Sequence, residues 1–414
     1  MKNLALLFPG QGSQYTGMGR NLLDNFQIAR DTFDEASEIL GLDLTNLCLH
    51  GSSKELTQTK NAQIAIFITG VSAFRVYMSE VGIKPSTLLG HSLGEITALT
   101  CSGAINFKDA VKIVKSRGEL MQEAGNHNEG IMLAVKDVDR NILADKCKEI
   151  SENEKVVVIA NYNASNQLVV SGYSDSVAKV KEFVEKEQGK AIYIKVSGAF
   201  HSPLMYDAAQ KFREELCKYK YNKLRYSVIS NVTARPYTSE SEIVDNLSKQ
   251  IFSPILWEDS MKQLDEIGVN IGIDLGPQKV ISSLIKKNNV NITPISIEEI
   301  SDLSDISKSI YMNRRDLIFV NESLGVIVST ENCNKNYSLE EYNTQVVEAY
   351  NNIVSIRNSI EESVNEENIE NVKKVMDITK NILKYKNIDI NEQKERLERV
   401  IVDSKLRELN LNLE

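Results

Sequence analysis

The chain has 414 residues and a formal net charge of −9, with 25% charged and 7% aromatic side chains. That length suits one large α/β domain with insertions, or two domains, and allows a substantial core. The acidic balance gives no global support for nucleic-acid binding, and the five cysteines at 48, 101, 147, 217 and 333 form no C-x-x-C pair, so neither a disulfide framework nor a structural zinc site is expected.

Leu4-Ala5-Leu6-Leu7-Phe8 is continuously apolar and stops at Pro9-Gly10, the pattern of a short buried parallel strand. It is too short for a signal peptide, and no run approaches the roughly eighteen residues that span a bilayer, so a cytoplasmic protein is expected. From 60 to 79, Ile64, Ile68, Val71, Phe74 and Met78 recur at helical spacing and lead into a brief strand before Gly90. Helices at 95–101 and 107–124 follow, and strand alternating with helix is the rhythm of an open sheet covered on both faces.

A polar turn at Gly125–Gly130 interrupts that rhythm. Beyond it the chain reads as a strand at 131–135, a helix at 138–150, strands at 155–160 and 167–171, a helix at 174–187 and a strand at 191–196. The order β-α-β-β-α-β predicts an inserted ferredoxin-like subdomain. The large domain resumes near 198, with strands at 226–229 and 271–275 and helices at 241–249 and 257–266. Past residue 300 the chain is rich in Asn, Glu and Lys but keeps apolar stripes. One runs through Val346, Val347, Tyr350, Ile353, Val354, Ile356 and Ile360; a second through Val372, Val375, Ile378, Ile382 and Leu383; a third through Leu397, Val400, Ile401, Leu406 and Leu409. The expected division is 1–125 and 198–305 for the two parts of the large subdomain, 126–197 for the ferredoxin-like insertion and 306–414 for a helical extension. That extension would cover an apolar surface of the core or form a dimer contact.

Ser92 in Gly90-His91-Ser92-Leu93-Gly94 follows an apolar run and has the form of a nucleophile elbow, shared by hydrolases and transferases. Its hydroxyl needs a base. Of the four histidines, at 50, 91, 127 and 201, His201 is the best placed, after a strand and before a helix; His91 reads as a structural partner, and His50 and His127 fall in polar loops. No aspartate stands out as a third member, with Asp207 and Asp274 both open and a backbone carbonyl an equal alternative. Pro9-Gly10-Gln11-Gly12-Ser13-Gln14 fails the dinucleotide pattern and lacks a phosphate-loop lysine, leaving an oxyanion loop with the Leu93 N–H as second donor, or a plain glycine-rich turn. Arg117 is either a solvated helix arginine or a fork that holds a carboxylate.

Together these motifs resemble the malonyl-CoA:acyl-carrier-protein transacylases, including the discrete acyltransferases of polyketide synthases. The likeness covers residues 1 to 300. It runs through Phe8-Pro9-Gly10-Gln11-Gly12-Ser13-Gln14, the elbow to Glu95, Arg117-Gly118, Asn161-Tyr162-Asn163 before Gln167, Gly198-Ala199-Phe200-His201-Ser202, Ser230-Asn231-Val232, Gln250 with Pro254 and Trp257, and Gly276-Pro277. The resemblance implies an α/β-hydrolase-like parallel-sheet core carrying the inserted subdomain. It implies Ser92 as nucleophile, His201 as base, Gln11 and Leu93 as backbone oxyanion donors, Arg117 as the malonyl-carboxylate group, and the Gln250 main-chain carbonyl as the group that orients His201. Phe200 would disfavour an α-methyl substituent. Malonyl-CoA is the implied substrate, with holo acyl carrier protein as acceptor and no metal or tightly bound cofactor. No nucleic-acid or membrane partner is expected, and the chain would be a monomer unless the extension pairs two copies. A serine thioester hydrolase and a noncatalytic carrier-docking protein are the alternatives, and the carrier's pathway, fatty-acid or polyketide, stays open. Gln278 departs from the family's Gly-Pro-Gly and leaves that loop's conformation open.

Overall fold

The computed structural model describes residues 3–127, 129–153, 155–298, 315–362, 369–404 and 406. The chain divides into two compact units, Asn3–Leu303 and Ser304–Glu414, the latter grouped with the first two residues.

In the first unit, β1 (Asn3–Phe8) is the apolar run at the N-terminus, buried because a parallel strand pairs on each side of it. Its neighbours are β2 (Thr87–Gly90) and β8 (Val269–Asp274); β7 (Ser227–Ile229) lies outside β2 and β9 (Thr293–Ser296) outside β8. The order β7-β2-β1-β8-β9 is parallel throughout. All carboxyl ends therefore lie on one edge, and the segments after β1, β2, β7 and β8 gather there.

Helix Thr59–Glu80 packs against helices Gln27–Leu40, Leu93–Cys101 and Phe107–His127, which explains apolar side chains on nearly every face. It corrects one sequence expectation, because by length and hydropathy it reaches membrane-span dimensions. Within its most apolar stretch 78% of the residues are buried inside this unit, as in a core helix. Helix Phe107–His127 runs through the predicted turn at Gly125, so Gly125 is not a breaker. A methyl there would collide with the Ser197 carbonyl, and the glycine instead permits the helix to touch the segment leading to His201. His50 and His127 likewise end helices rather than lying in loops.

The second sheet comprises β3 (Gly130–Lys136), β4 (Val157–Ala164), β5 (Gln167–Tyr173) and β6 (Lys190–Ile194), antiparallel in the order β4-β5-β3-β6. Helices Arg140–Asn153 and Ser174–Lys186 complete the β-α-β-β-α-β order. Leu133 and Val135 on β3, and Leu168 and Val170 on β5, join the core beneath these helices. Met132, Ala134, Gln167 and Val169 alternate with them and face a cleft on the other side. On β4 the register shifts between Ile159 and Asn161. Ile159 pairs with Val170 of the core, Asn161 with Val169 of the cleft. The extra residue switches faces, and Asn161 and Asn163 line the cleft although they share Ile159's parity.

In the second unit, helix Arg315–Ser329 contacts helices Ala349–Glu362, Ile369–Tyr385 and Ile390–Asp403. Phe319, Val320, Ile353, Val375, Leu383 and Leu397 are buried. The three predicted stripes fall on helical segments, though Val347 is exposed, Leu406 lies past the end of helix Ile390–Asp403 and Leu409 lies outside the described residues. Helix Arg315–Ser329 falls within the expected helical extension but carries none of the three stripes.

Candidate active site

Ser92 occupies the turn from β2 into helix Leu93–Cys101 with φ 52° and ψ −105°, a strained conformation for a residue bearing a Cβ. A methyl on Gly90 would overlap Gly94, and one on Gly94 would strike the Phe8 carbonyl, so the elbow closes only with both glycines. Hydrogen bonds hold the strained turn. Ser92 N–H donates to Asn231 Oδ1 (2.7 Å), Asn231 Nδ2 donates to the Gly90 carbonyl (2.7 Å), and Gln250 Nε2 donates to the Ser92 carbonyl (3.0 Å).

His201 also has a positive φ, 56°, and its backbone N–H donates to the Ile251 carbonyl (3.1 Å). Its Nε2 lies 2.8 Å from Ser92 Oγ and its Nδ1 2.7 Å from the Gln250 carbonyl. A carbonyl can only accept, so Nδ1 carries the hydrogen and the Nε2 lone pair faces the serine. Burial, then the charge of Arg117, pushes the imidazole down to about 3, with the Gln250 carbonyl opposing. At neutral pH the ring is uncharged and able to take a proton.

Arg117, on helix Phe107–His127, is buried to 1% exposure. One terminal nitrogen donates to Gln63 Oε1 (2.8 Å); the other donates to Ser92 Oγ (3.1 Å) and Gln250 Oε1 (2.8 Å). Its Nε has no partner among the described residues. Burial brings it down to about 10, the Glu95 charge opposing, and it stays cationic at neutral pH.

These groups open on a cavity of about 270 Å³ between the two sheets, which Gln11, Leu93 and Phe200 also line. The Gln11 side chain donates to Thr59 Oγ1 (3.2 Å), and Leu93 begins the elbow helix. His91 lies 2.9 Å from Asn163 Oδ1, with its ring tilted on Trp257 at 5.2 Å, a structural position lining the cleft. Neither aspartate faces His201. Asp207 is exposed on helix Tyr206–Leu216, and the Asp274 carboxylate accepts from the backbone N–H groups of Gly276 and Ser282. Gln278 adopts φ 68°, the left-handed region that a glycine at this position would enter freely, and its N–H donates to Glu298 (2.8 Å).

The sequence assigned no task to Glu95, Asn231, Tyr237 or Gln63. Glu95 carried one signal, a carboxylate in the first turn of an otherwise apolar helix, which must find donors if buried.

Residues 5–301 match the acyl transferase domain. The chain belongs to that family. It is 40% identical over 313 residues to a malonyl CoA-acyl carrier protein transacylase of Bacillus subtilis, covering 76% of this chain and 78% of the relative. The crystal structure of a malonyl CoA-acyl carrier protein transacylase from Clostridium perfringens aligns with a TM-score of 0.71 at 37% identity, over 75% of this chain and 98% of the other. A type II polyketide-synthase acyl-carrier protein in complex with its malonyl-transacylase supplies a further match, with a TM-score of 0.71 at 32% identity, covering 74% and 99%. In this acyl transferase the Ser304–Glu414 unit lies beyond the matched residues.

Proposed function

We propose that the protein transfers a malonyl group from malonyl-CoA to the phosphopantetheine thiol of holo acyl carrier protein, the [acyl-carrier-protein] S-malonyltransferase reaction, through a malonyl-serine intermediate. The observation that carries this reading is the Arg117 guanidinium 3.1 Å from the oxygen that faces His201 at 2.8 Å. A fixed cation beside a nucleophile suits an acyl group with a free carboxylate.

Ser92 Oγ attacks the thioester carbonyl as its proton passes to His201 Nε2. The Gln11 and Leu93 backbone N–H groups stabilise the oxyanion. On collapse the C–S bond breaks, and the CoA sulfur leaves with the proton from His201. The carrier thiol then repeats the sequence in reverse, losing its proton to His201 and releasing Ser92. Both half-reactions exchange one acyl bond for another, so no electron acceptor is needed and no tightly bound cofactor is called for. Phe200, beside His201 on the cleft wall, disfavours an α-methyl group. Discrimination by one methyl is worth about 1–3 kcal/mol, so selectivity for malonyl over methylmalonyl is substantial but not absolute.

The β-α-β-β-α-β order of the smaller sheet supports its reading as a ferredoxin-like insertion, with boundaries at 126–197 in an α/β-hydrolase-like core of 1–125 and 198–305 and a helical extension at 306–414. The protein works in the cytoplasm as a monomer, with carrier protein rather than nucleic acid or membrane as its partner. Incubation with malonyl-CoA should add one malonyl mass to the intact protein, and Ser92→Ala should abolish the adduct. An adduct of undiminished yield in that variant removes Ser92 from the reaction, while rapid release of free malonate without carrier makes the protein a hydrolase.

A further inference from the structure

Glu95 takes no part in these steps, yet its carboxylate is fully buried in the first turn of the elbow helix. Tyr237 O–H donates to Oε1 (2.6 Å), while Gln250 Nε2 (2.6 Å) and the Asn231 N–H (3.1 Å) donate to Oε2. A carboxylate surrounded by donors is satisfied in its ionised form. Burial raises the Glu95 carboxyl above its ordinary range, and the Tyr237, Asn231, Gln250 and Ser230 hydrogen bonds oppose that rise.

The Gln250 side chain lies between this anion and the Arg117 cation. Its NH₂ end donates to Glu95 and to the Ser92 carbonyl; its oxygen accepts from Arg117. Reversing the amide would set its oxygen against the carboxylate and its NH₂ against the guanidinium, two repulsive contacts in a buried site. We propose that Glu95 is a positioning residue that fixes the Gln250 amide in one orientation and so holds the Arg117 fork beside Ser92, where the substrate carboxylate binds. The inference rests on the reading of Arg117 as the carboxylate-binding group. His201 depends on the Gln250 backbone carbonyl instead, so the base stays in place when the amide turns. Losing Glu95 therefore weakens recognition of the carboxylate more than the acyl chemistry, which loses only the Gln250 Nε2 bond to the Ser92 carbonyl while the Asn231 bonds still hold the turn.

The experiment follows serine acylation by intact mass over a range of malonyl-CoA and acetyl-CoA concentrations in wild type, Glu95→Gln, Tyr237→Phe and Arg117→Ala. In Glu95→Gln the malonyl-CoA concentration for half-maximal rate should rise about tenfold, the scale of one charge-assisted hydrogen bond, while acetyl-CoA acylation stays within about threefold. Tyr237→Phe, which removes one donor and keeps the carboxylate, should shift the same concentration in the same direction by a smaller factor. If Glu95→Gln shows no cooperative melting transition, Tyr237→Phe alone decides. Unchanged half-saturation for malonyl-CoA, or malonyl and acetyl acylation falling in parallel, overturns the inference. Failure of the underlying reading looks different: wild type takes up no malonyl group, or Arg117→Ala loses malonyl and acetyl acylation equally.

Discussion

Arg117 and His201 act on each other before any substrate arrives. The guanidinium charge is the second cause, after burial, of the depressed basicity of His201. A malonyl carboxylate paired with Arg117 offsets that charge, so the imidazole becomes more basic when the serine proton has to move. Free malonate is a sufficient probe: it should raise the His201 titration midpoint seen by NMR, and Arg117→Ala should abolish the response. Stability carries the same signature. The folded value of His201, about 3, lies below its ordinary 6.5, so between them the unfolded chain binds a proton that the folded chain refuses. The stability is fully present above about 6.5 and is lost as the pH falls toward 3, and His201→Ala should flatten the melting-temperature profile across that window. Ser92 and His201 were legible because their motifs call for a hydroxyl and an imidazole, whereas the Gln250 carbonyl, which any residue could supply, and the orientation of Arg117 rested on the family resemblance. Asn231 and Tyr237 were less so. Their partners Ser92 and Glu95 lie 139 and 142 positions away, and a hydrogen bond of that span leaves no local pattern.

Among the elements, the elbow and the central helix of the second unit differ in how openly they announce themselves. The elbow is written in its glycines, and Gly94→Ala should lower the melting temperature and the yield of acylated enzyme together, because the methyl meets the Phe8 carbonyl and moves the turn carrying Ser92. Helix Arg315–Ser329 escaped notice because three helices surround it, so apolar residues recur around it and no single stripe stands out. The extra residue in β4 escaped for a related reason. Strict alternation puts Asn161 on the face of Ile159, and only the pairing with β5 shows where the register slips. In the helical unit, Lys386 Nζ donates to the carbonyls of Ile327 and Thr330 at the end of that central helix, each at 2.7 Å. Replacing Lys386 with Met should cost about 1–3 kcal/mol in denaturant unfolding, since buried carbonyls lose their donor.

At the scale of the whole molecule, the residues that line the cleft all belong to the Asn3–Leu303 unit, and the family match ends at residue 301. A chain ending at Leu303 should therefore form malonyl-serine at a rate within about twofold of the full-length protein, measured by intact mass, as expected when a compact unit folds by itself. Sedimentation of the two forms tests the monomer reading directly. The strand-and-helix rhythm of this unit was readable from apolar periodicity, whereas β9, only four residues long and half-exposed, offered too little pattern to find. The alternation along β3 and β5 has a consequence for how the protein can change over generations. Met132, Ala134 and Val169 shape the cavity, while Leu133, Val135, Leu168 and Val170 hold the insertion together. Neighbouring positions on one strand thus answer to separate selective demands, so new acyl groups can be explored by mutation without first unmaking the scaffold that presents them.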